Sequence, residues 1–158
     1  MTAFISPNQP LYLYQQPMFS ITVAAVLIID NGVCLVKDEK NGLFKFPGGI
    51  VRAGTETIQF AVVKYVKEQT GLILKKDSII PVDFRSDPER SKEKNVVDIG
   101  FLCIPNGITP DSLNKLSLWK EVDFENKCIV DKSIKWYMDH QILMERAIDI
   151  MMVYKEEN

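Results

Sequence analysis

The sequence is poor in residues that build metal clusters and disulfide frameworks. Its 158 residues include three cysteines, Cys34, Cys103 and Cys128, and one histidine, His140. The cysteines are odd in number and widely spaced, with no CxxC pair, so neither a zinc site nor a disulfide scaffold is expected. Cys34 and Cys103 lie in apolar runs and are expected as buried thiols. Long hydrophobic runs are also missing. The longest, Val23 to Ile29, is far too short to span a bilayer, which argues against a membrane protein. The polar, proline-bearing start lacks the pattern of a secretory leader, so a cytoplasmic setting is expected. Neither sign of charge dominates: 19 basic against 21 acidic residues leave a net charge of −2. That balance argues against a broad nucleic-acid footprint, though not against a local basic patch. Repeats, low-complexity tracts, a P-loop and a Ser-His-Asp order are absent too.

What is present suits one α/β domain with a real core: 46% of residues are hydrophobic and 25% charged. Residues 1–18, with Pro7, Pro10, Pro17, Tyr12 and Tyr14, read as an extended arm ahead of a domain over 19–158. Ser20 to Ile29 is β-branched and continuous, the mark of a strand buried on both faces. Asp30-Asn31-Gly32 signals a hairpin turn into a returning strand, Val33 to Lys37. Lys40-Asn41-Gly42 is a second turn. Further strands are expected from Leu72 to Lys76, Ile79 to Arg85, Val96 to Ile104 and Leu116 to Asp123, where Trp119 reads as core. A long helix is expected over 131–153, with Ile134, Met138, Ile142, Leu143, Ala147, Ile150 and Met151 as its apolar stripe. Residues 154–158 are expected to fray. His140, alone on that helix, reads as structural or solvent-exposed.

The stretch Phe46 to Leu72, FPGGIVRAGTETIQFAVVKYVKEQTGL, organises the rest. Pro47-Gly48-Gly49 and Gly54 make a loop that bends where side chains would strain. Thr55 or Thr57 can cap a helix running from about Thr57 to Thr70, with Glu56 in its first turn and Gly71 as a left-handed stop. Phe60 to Val63 and Val66 are expected to pack on the sheet. A Gly-rich loop feeding a helix can cradle a diphosphate on backbone N–H groups.

This stretch resembles the Nudix box, G-x5-E-x7-R-E-U-x-E-E-x-G-U, in which U is aliphatic. Gly49, Glu56, Val66, Glu68, Gly71 and Leu72 fall on its named positions, with one extra residue between Gly49 and Glu56. Lys64 stands in place of the Arg, Tyr65 in place of the first Glu of R-E-U, and Gln69 in place of the last Glu. The strand–hairpin–loop–helix order extends the resemblance. The pair FRSDPER and VVDIGFLCI resembles the ADP-ribose pyrophosphatase branch, and Asp139-His140 recurs there. The resemblance implies a Nudix-type α/β/α sandwich with a mixed β-sheet. It implies hydrolysis, assisted by Mg²⁺ or Mn²⁺, of a nucleoside diphosphate linked to another group, of the ADP-ribose or nucleotide-sugar type.

In that reading Glu68 is the main helical metal ligand, Gln69 a weak neutral one and Glu56 a further ligand. Gly48, Gly49, Arg85 and Arg90 would contact phosphate or substrate. Glu89, Glu93, Asp98 and Asp111 are the candidate bases, with none singled out. The resemblance also implies that the arm can pack on a partner subunit in a homodimer; an arm lying on its own domain is the alternative. Loss of two helical carboxylates keeps a second function open: a catalytically silent domain that binds a nucleotide as a sensor or partner module.

Overall fold

A computed structural model describes residues 19–52, 54–90 and 95–157. The N-terminal arm, with any dimer contact it makes, and Glu93 lie outside the described residues. Among these residues eight strands and two α-helices follow in the order β1 (Ser20–Ile29), β2 (Gly32–Lys37), β3 (Phe44–Lys45), β4 (Gly48–Ile50), α1 (Ile58–Thr70), β5 (Ile79–Arg85), β6 (Val96–Cys103), β7 (Ser117–Asp123), β8 (Cys128–Ile129) and α2 (His140–Glu157). The sheet runs β5-β6-β1-β2-β7-β8, with β3 on β2 and β4 on β1. The β1–β6 pair is parallel and the others are antiparallel, so the sheet is mixed.

β1 explains the sandwich. It is apolar on both faces, and its alternating side chains separate into two cores. Val23, Ala25, Leu27 and Ile29 pack with Ala61, Val62 and Val66 of α1. Ala24, Val26 and Ile28 pack with Leu143, Met144, Ala147, Ile148 and Met151 of α2. One helix therefore covers each face, as the α/β/α expectation required. Cys34 and Cys103 are buried, and burial pushes both thiols up to about 12. Trp119 packs against the α1-side core and donates from Nε1 to Ile29 O at 2.9 Å.

β1 shares one edge between two partners. Its far end makes the tight hairpin with β2, through Ile28↔Val33 and Ile29↔Gly32. Its near end pairs with β4 through Thr22↔Ile50, Val23↔Gly49 and Ala24↔Gly48. The glycines expected in a loop thus belong to a short strand laid on β1. β3 and β4, consecutive in the chain, thus pair with β2 and β1 in turn, and the candidate site lies beside β4 and the near end of β1.

Several local expectations need correction. The helix expected from Asp131 starts only at His140 and continues to Glu157 without fraying at 154. Before it, Asp131 Oδ1 accepts from Ser133 N and Oγ, closing a turn. The next backbone groups bond across to β3: Phe44 N donates to Lys135 O, and Tyr137 N donates to Phe44 O, both at 2.8 Å. Backbone groups spent across the chain cannot make i→i−4 bonds, and Met138 takes a left-handed φ of 46°. Residues 72–75 form no strand; a short 3₁₀ turn, Lys76–Ser78, leads into β5. Phe60 is 48% exposed rather than packed on the sheet.

Candidate functional site

α1 starts and stops as its sequence dictates. Thr57 is the N-cap, its side chain accepting from Phe60 N at 3.1 Å. Gly71 ends the helix at φ 82°. Glu56 precedes the cap instead of lying in the first turn. Its carboxylate accepts from Arg52 N at 2.9 Å and from Lys64 Nζ at 3.1 and 2.8 Å, one bond to each oxygen. Lys64 therefore spans both oxygens of Glu56 although it lacks a guanidinium fork. Its hydrogen bond, with that from Arg52 N–H, holds the Glu56 carboxyl below the usual range.

The face of α1 that carries Tyr65, Glu68 and Gln69 meets β4. Gln69 pairs with the backbone of Gly48 twice: its Oε1 accepts from Gly48 N at 3.0 Å, and its Nε2 donates to Gly48 O at 2.8 Å. The side-chain amide thus bonds to β4 as another strand's peptide would. Tyr65 OH donates to Ile50 O at 2.6 Å, and Lys64 Nζ lies 4.6 Å from the Tyr65 ring centre. The ring crosses Gly49 so closely that a Cβ there would stand 2.5 Å from its Cζ, so only glycine fits beneath it. Glu68 is exposed, with no partner among the described residues.

A divalent cation such as Mg²⁺ or Mn²⁺ needs several oxygen ligands converging on one point. Gln69 and the Gly48 carbonyl satisfy one another, Tyr65 is spent on Ile50, and Glu56 is neutralised by Lys64. One free carboxylate remains on this face. Among the described residues no three His, Cys, Asp or Glu side chains come together as a metal cage. The donor set does not fit a resident cation.

The other side of β4 borders a cavity of about 410 Å³, enclosed by β1, Lys45 and Phe46, β4, Arg90, the start of β6 and the segment Tyr137–His140. Gly48, Gly49, Arg90 and Asp98 line it; Arg85, Glu56, Glu68 and Gln69 do not. Below it lies a buried charge cluster. Arg85 donates to Asp98 Oδ2, and from Nη1 to the Asp139 carbonyl at 3.0 Å and Oδ1 at 2.7 Å. Arg90 grips the same carboxylate with two bonds of 2.8 Å, from Nε and Nη2. Thr22 Oγ1 closes the set on Asp98 Oδ1 at 2.5 Å. Burial raises the Asp139 carboxyl, but the Arg90 hydrogen bond and the charges of Arg85 and Arg90 outweigh it and hold the group below its usual range. Burial lowers the Arg85 guanidinium to about 10, still charged at neutral pH.

Asp98, one of the candidate bases, is thus committed to Arg85 and Thr22. Asp111 and Glu89 are exposed and do not line this cavity. Residues given no site role from the sequence complete the site: Thr22 and Lys45, not noted there at all, line it, while Asp139 locks both arginines and His140 lines the cavity. The Asp139-His140 pair was the one available signal.

Residues 18–128 match the model of the NUDIX domain. The chain belongs to the NUDIX domain family. An ADP-ribose pyrophosphatase of Methanocaldococcus jannaschii is 39% identical over 93 residues, 57% of this chain and 52% of that protein, so the match spans about half of the relative's length. The NUDIX domain of Shewanella oneidensis NrtR, solved with ADP-ribose, has the same fold: TM-score 0.69, 19% identity, 87% of this chain and 92% of that one. So does a bifunctional NMN adenylyltransferase/ADP-ribose pyrophosphatase of Francisella tularensis, solved with AMP and a manganese ion: TM-score 0.64, 21% identity, 92% of this chain and 44% of that one. No helix among the described residues of this NUDIX chain is long and apolar enough to cross a membrane.

Proposed function

We propose that this NUDIX domain binds a nucleoside diphosphate joined to a second group, of the ADP-ribose type, in the cavity between β4 and His140, and hydrolyses it slowly or not at all. The observation that carries this reading is the Gln69–Gly48 pairing. It consumes, by neutral hydrogen bonds, a helical side chain and a backbone carbonyl that would otherwise face a cation. A metal ion is not the one source of positive charge at the cavity: Lys45, paired with Asp38 at 3.2 Å, and Arg90, paired with Asp139, line it, and phosphate oxygens compete for charge-assisted bonds from such groups. The ligand class is supported by the 39% identity to an ADP-ribose pyrophosphatase. The same identity, with Glu68 left exposed, supports a second reading, in which the chain is a metal-dependent pyrophosphohydrolase whose cation arrives with the substrate.

Calorimetry with ADP-ribose, repeated with EDTA and with Mg²⁺ or Mn²⁺, tests the first reading, alongside an assay for AMP release. Binding that survives EDTA, with little AMP, is the expected result. Binding only with metal, followed by steady turnover that Glu68→Ala abolishes, would establish the second reading instead.

A further inference from the structure

His140 is the first residue of α2 and 6% exposed. Its Nδ1 accepts from Phe46 N at 3.0 Å. A neutral imidazole has one acceptor nitrogen and one donor nitrogen. With Nδ1 taken as acceptor, the ring proton sits on Nε2. The ring cannot turn to reverse the roles without losing that bond, and aromatic neighbours hold it. Phe46 stacks at 5.9 Å and 11°, and Tyr137 meets it edge-on at 5.7 Å. Nε2 has no protein partner among the described residues. It is not among the fully buried atoms that lack a partner, which are Arg85 Nε and Arg90 Nη1, so it keeps some access to solvent. Since His140 lines the cavity, Nε2–H opens onto it.

We propose that His140 is a fixed, uncharged hydrogen-bond donor whose Nε2–H reads an acceptor on the sugar or base of the nucleotide, a hydroxyl, carbonyl or ring nitrogen, rather than a phosphate oxygen. This rests on the nucleotide reading above. The division of labour follows from charge. Phosphate oxygens are best met by cations, and Lys45 and Arg90 line the same cavity. A neutral donor adds direction without charge, and a buried donor left unpaired penalises ligands that lack the acceptor. Burial, and after it the charged groups around the ring, keep it neutral. Arg85 from β5, Arg90 from the turn after it and Lys45 from β3 oppose a proton. Asp139, which favours one, is already bonded to both arginines. Asp98 on β6 is likewise paired.

The chain's one histidine makes the test direct. With ¹⁵N-histidine protein, long-range ¹H–¹⁵N spectra between pH 5 and 8 should show one unchanging Nε2–H tautomer. ADP-ribose should then shift the Nε2 resonance in a saturable way, at the concentrations that give calorimetric heat, whereas inorganic pyrophosphate should not. His140→Gln should weaken ADP-ribose binding roughly 3–10-fold, the scale of one net hydrogen bond. An Nδ1–H tautomer overturns the proposal, and so does an equal shift with pyrophosphate. Heat from ADP-ribose without an Nε2 shift overturns this role alone. Neither heat nor shift overturns the nucleotide reading and this role together.

Discussion

Gln69→Glu is the sharpest perturbation of the α1–β4 junction. It keeps an oxygen able to accept from Gly48 N but replaces the Nε2 donor by a second carboxylate oxygen. The bond of 2.8 Å to Gly48 O is then lost, and an anion faces a carbonyl. Leaving one half-buried acceptor unpaired costs about 1–3 kcal/mol. In a chain of this length each kcal/mol corresponds to about 2–4 °C in Tm. The same change assembles oxygens for a cation: the new carboxylate, the exposed Glu68 beside it and the released Gly48 carbonyl. If the variant binds Mg²⁺ with a Kd of about 1 mM, then 10 mM Mg²⁺ returns about 1.4 kcal/mol. Wild type, whose oxygens there are already bonded, should gain less than about 0.3 kcal/mol. Thermal and urea unfolding with MgCl₂ against a salt of matched ionic strength reads both effects. A metal-free variant as stable as wild type would show that the Gln69–Gly48 pairing contributes nothing. Equal Mg²⁺ stabilisation of wild type and variant would refute the argument that the native donor set makes no cage.

Asp139→Asn keeps the shape of the side chain but removes the charge that faces two buried guanidinium groups, and should cost about 3–5 kcal/mol in urea unfolding; a loss below about 1 kcal/mol would mean the arginines find other partners. Burial and the charge of Arg85 lower the His140 pKa from 6.5 to about 3. The unfolded chain therefore binds a proton that the folded one refuses. Stability from this source is complete above pH 6.5 and falls as pH drops towards 3, by up to about 1.4 kcal/mol per unit. Urea midpoints at pH 7 and 5 should show the fall in wild type and not in His140→Phe; a flat wild type contradicts it. Iodoacetamide should modify the half-buried Cys128 alone in the native protein and all three cysteines in denaturant, as counted by mass spectrometry. Rapid native labelling of Cys34 or Cys103 would contradict their burial.

Elements whose causes are local are legible in the residues. β1 follows from its β-branched run, its hairpin from Asp30-Asn31-Gly32, and α1 from Thr57 at one end and Gly71 at the other. The likeness to the Nudix box carried the fold because glycines and aliphatic residues stand at fixed spacing. The α2 boundary was not legible. Ile134 and Met138 keep the helical period, but between them Lys135 O and Tyr137 N spend their hydrogen bonds across the chain on Phe44 of β3. The roles of polar side chains were still less legible. Gln69 reads as a ligand missing its charge, and only the fold lays Gly48 against it so that its amide closes on a peptide unit. From the sequence Arg85 and Arg90 read as substrate contacts and Asp98 as a candidate base, spread with Asp139 over more than fifty positions, yet β5, the turn after it, β6 and the residue before α2 bring the four into one buried cluster. For His140 the sequence offers its place in the Asp139-His140 pair and no chemical role. Its tautomer depends on Phe46 N, 94 positions away along the chain. Periodicity and turn chemistry act between neighbours in sequence, whereas a side chain's hydrogen-bond partners are chosen by whatever the packed sheet and helices bring within about 3 Å.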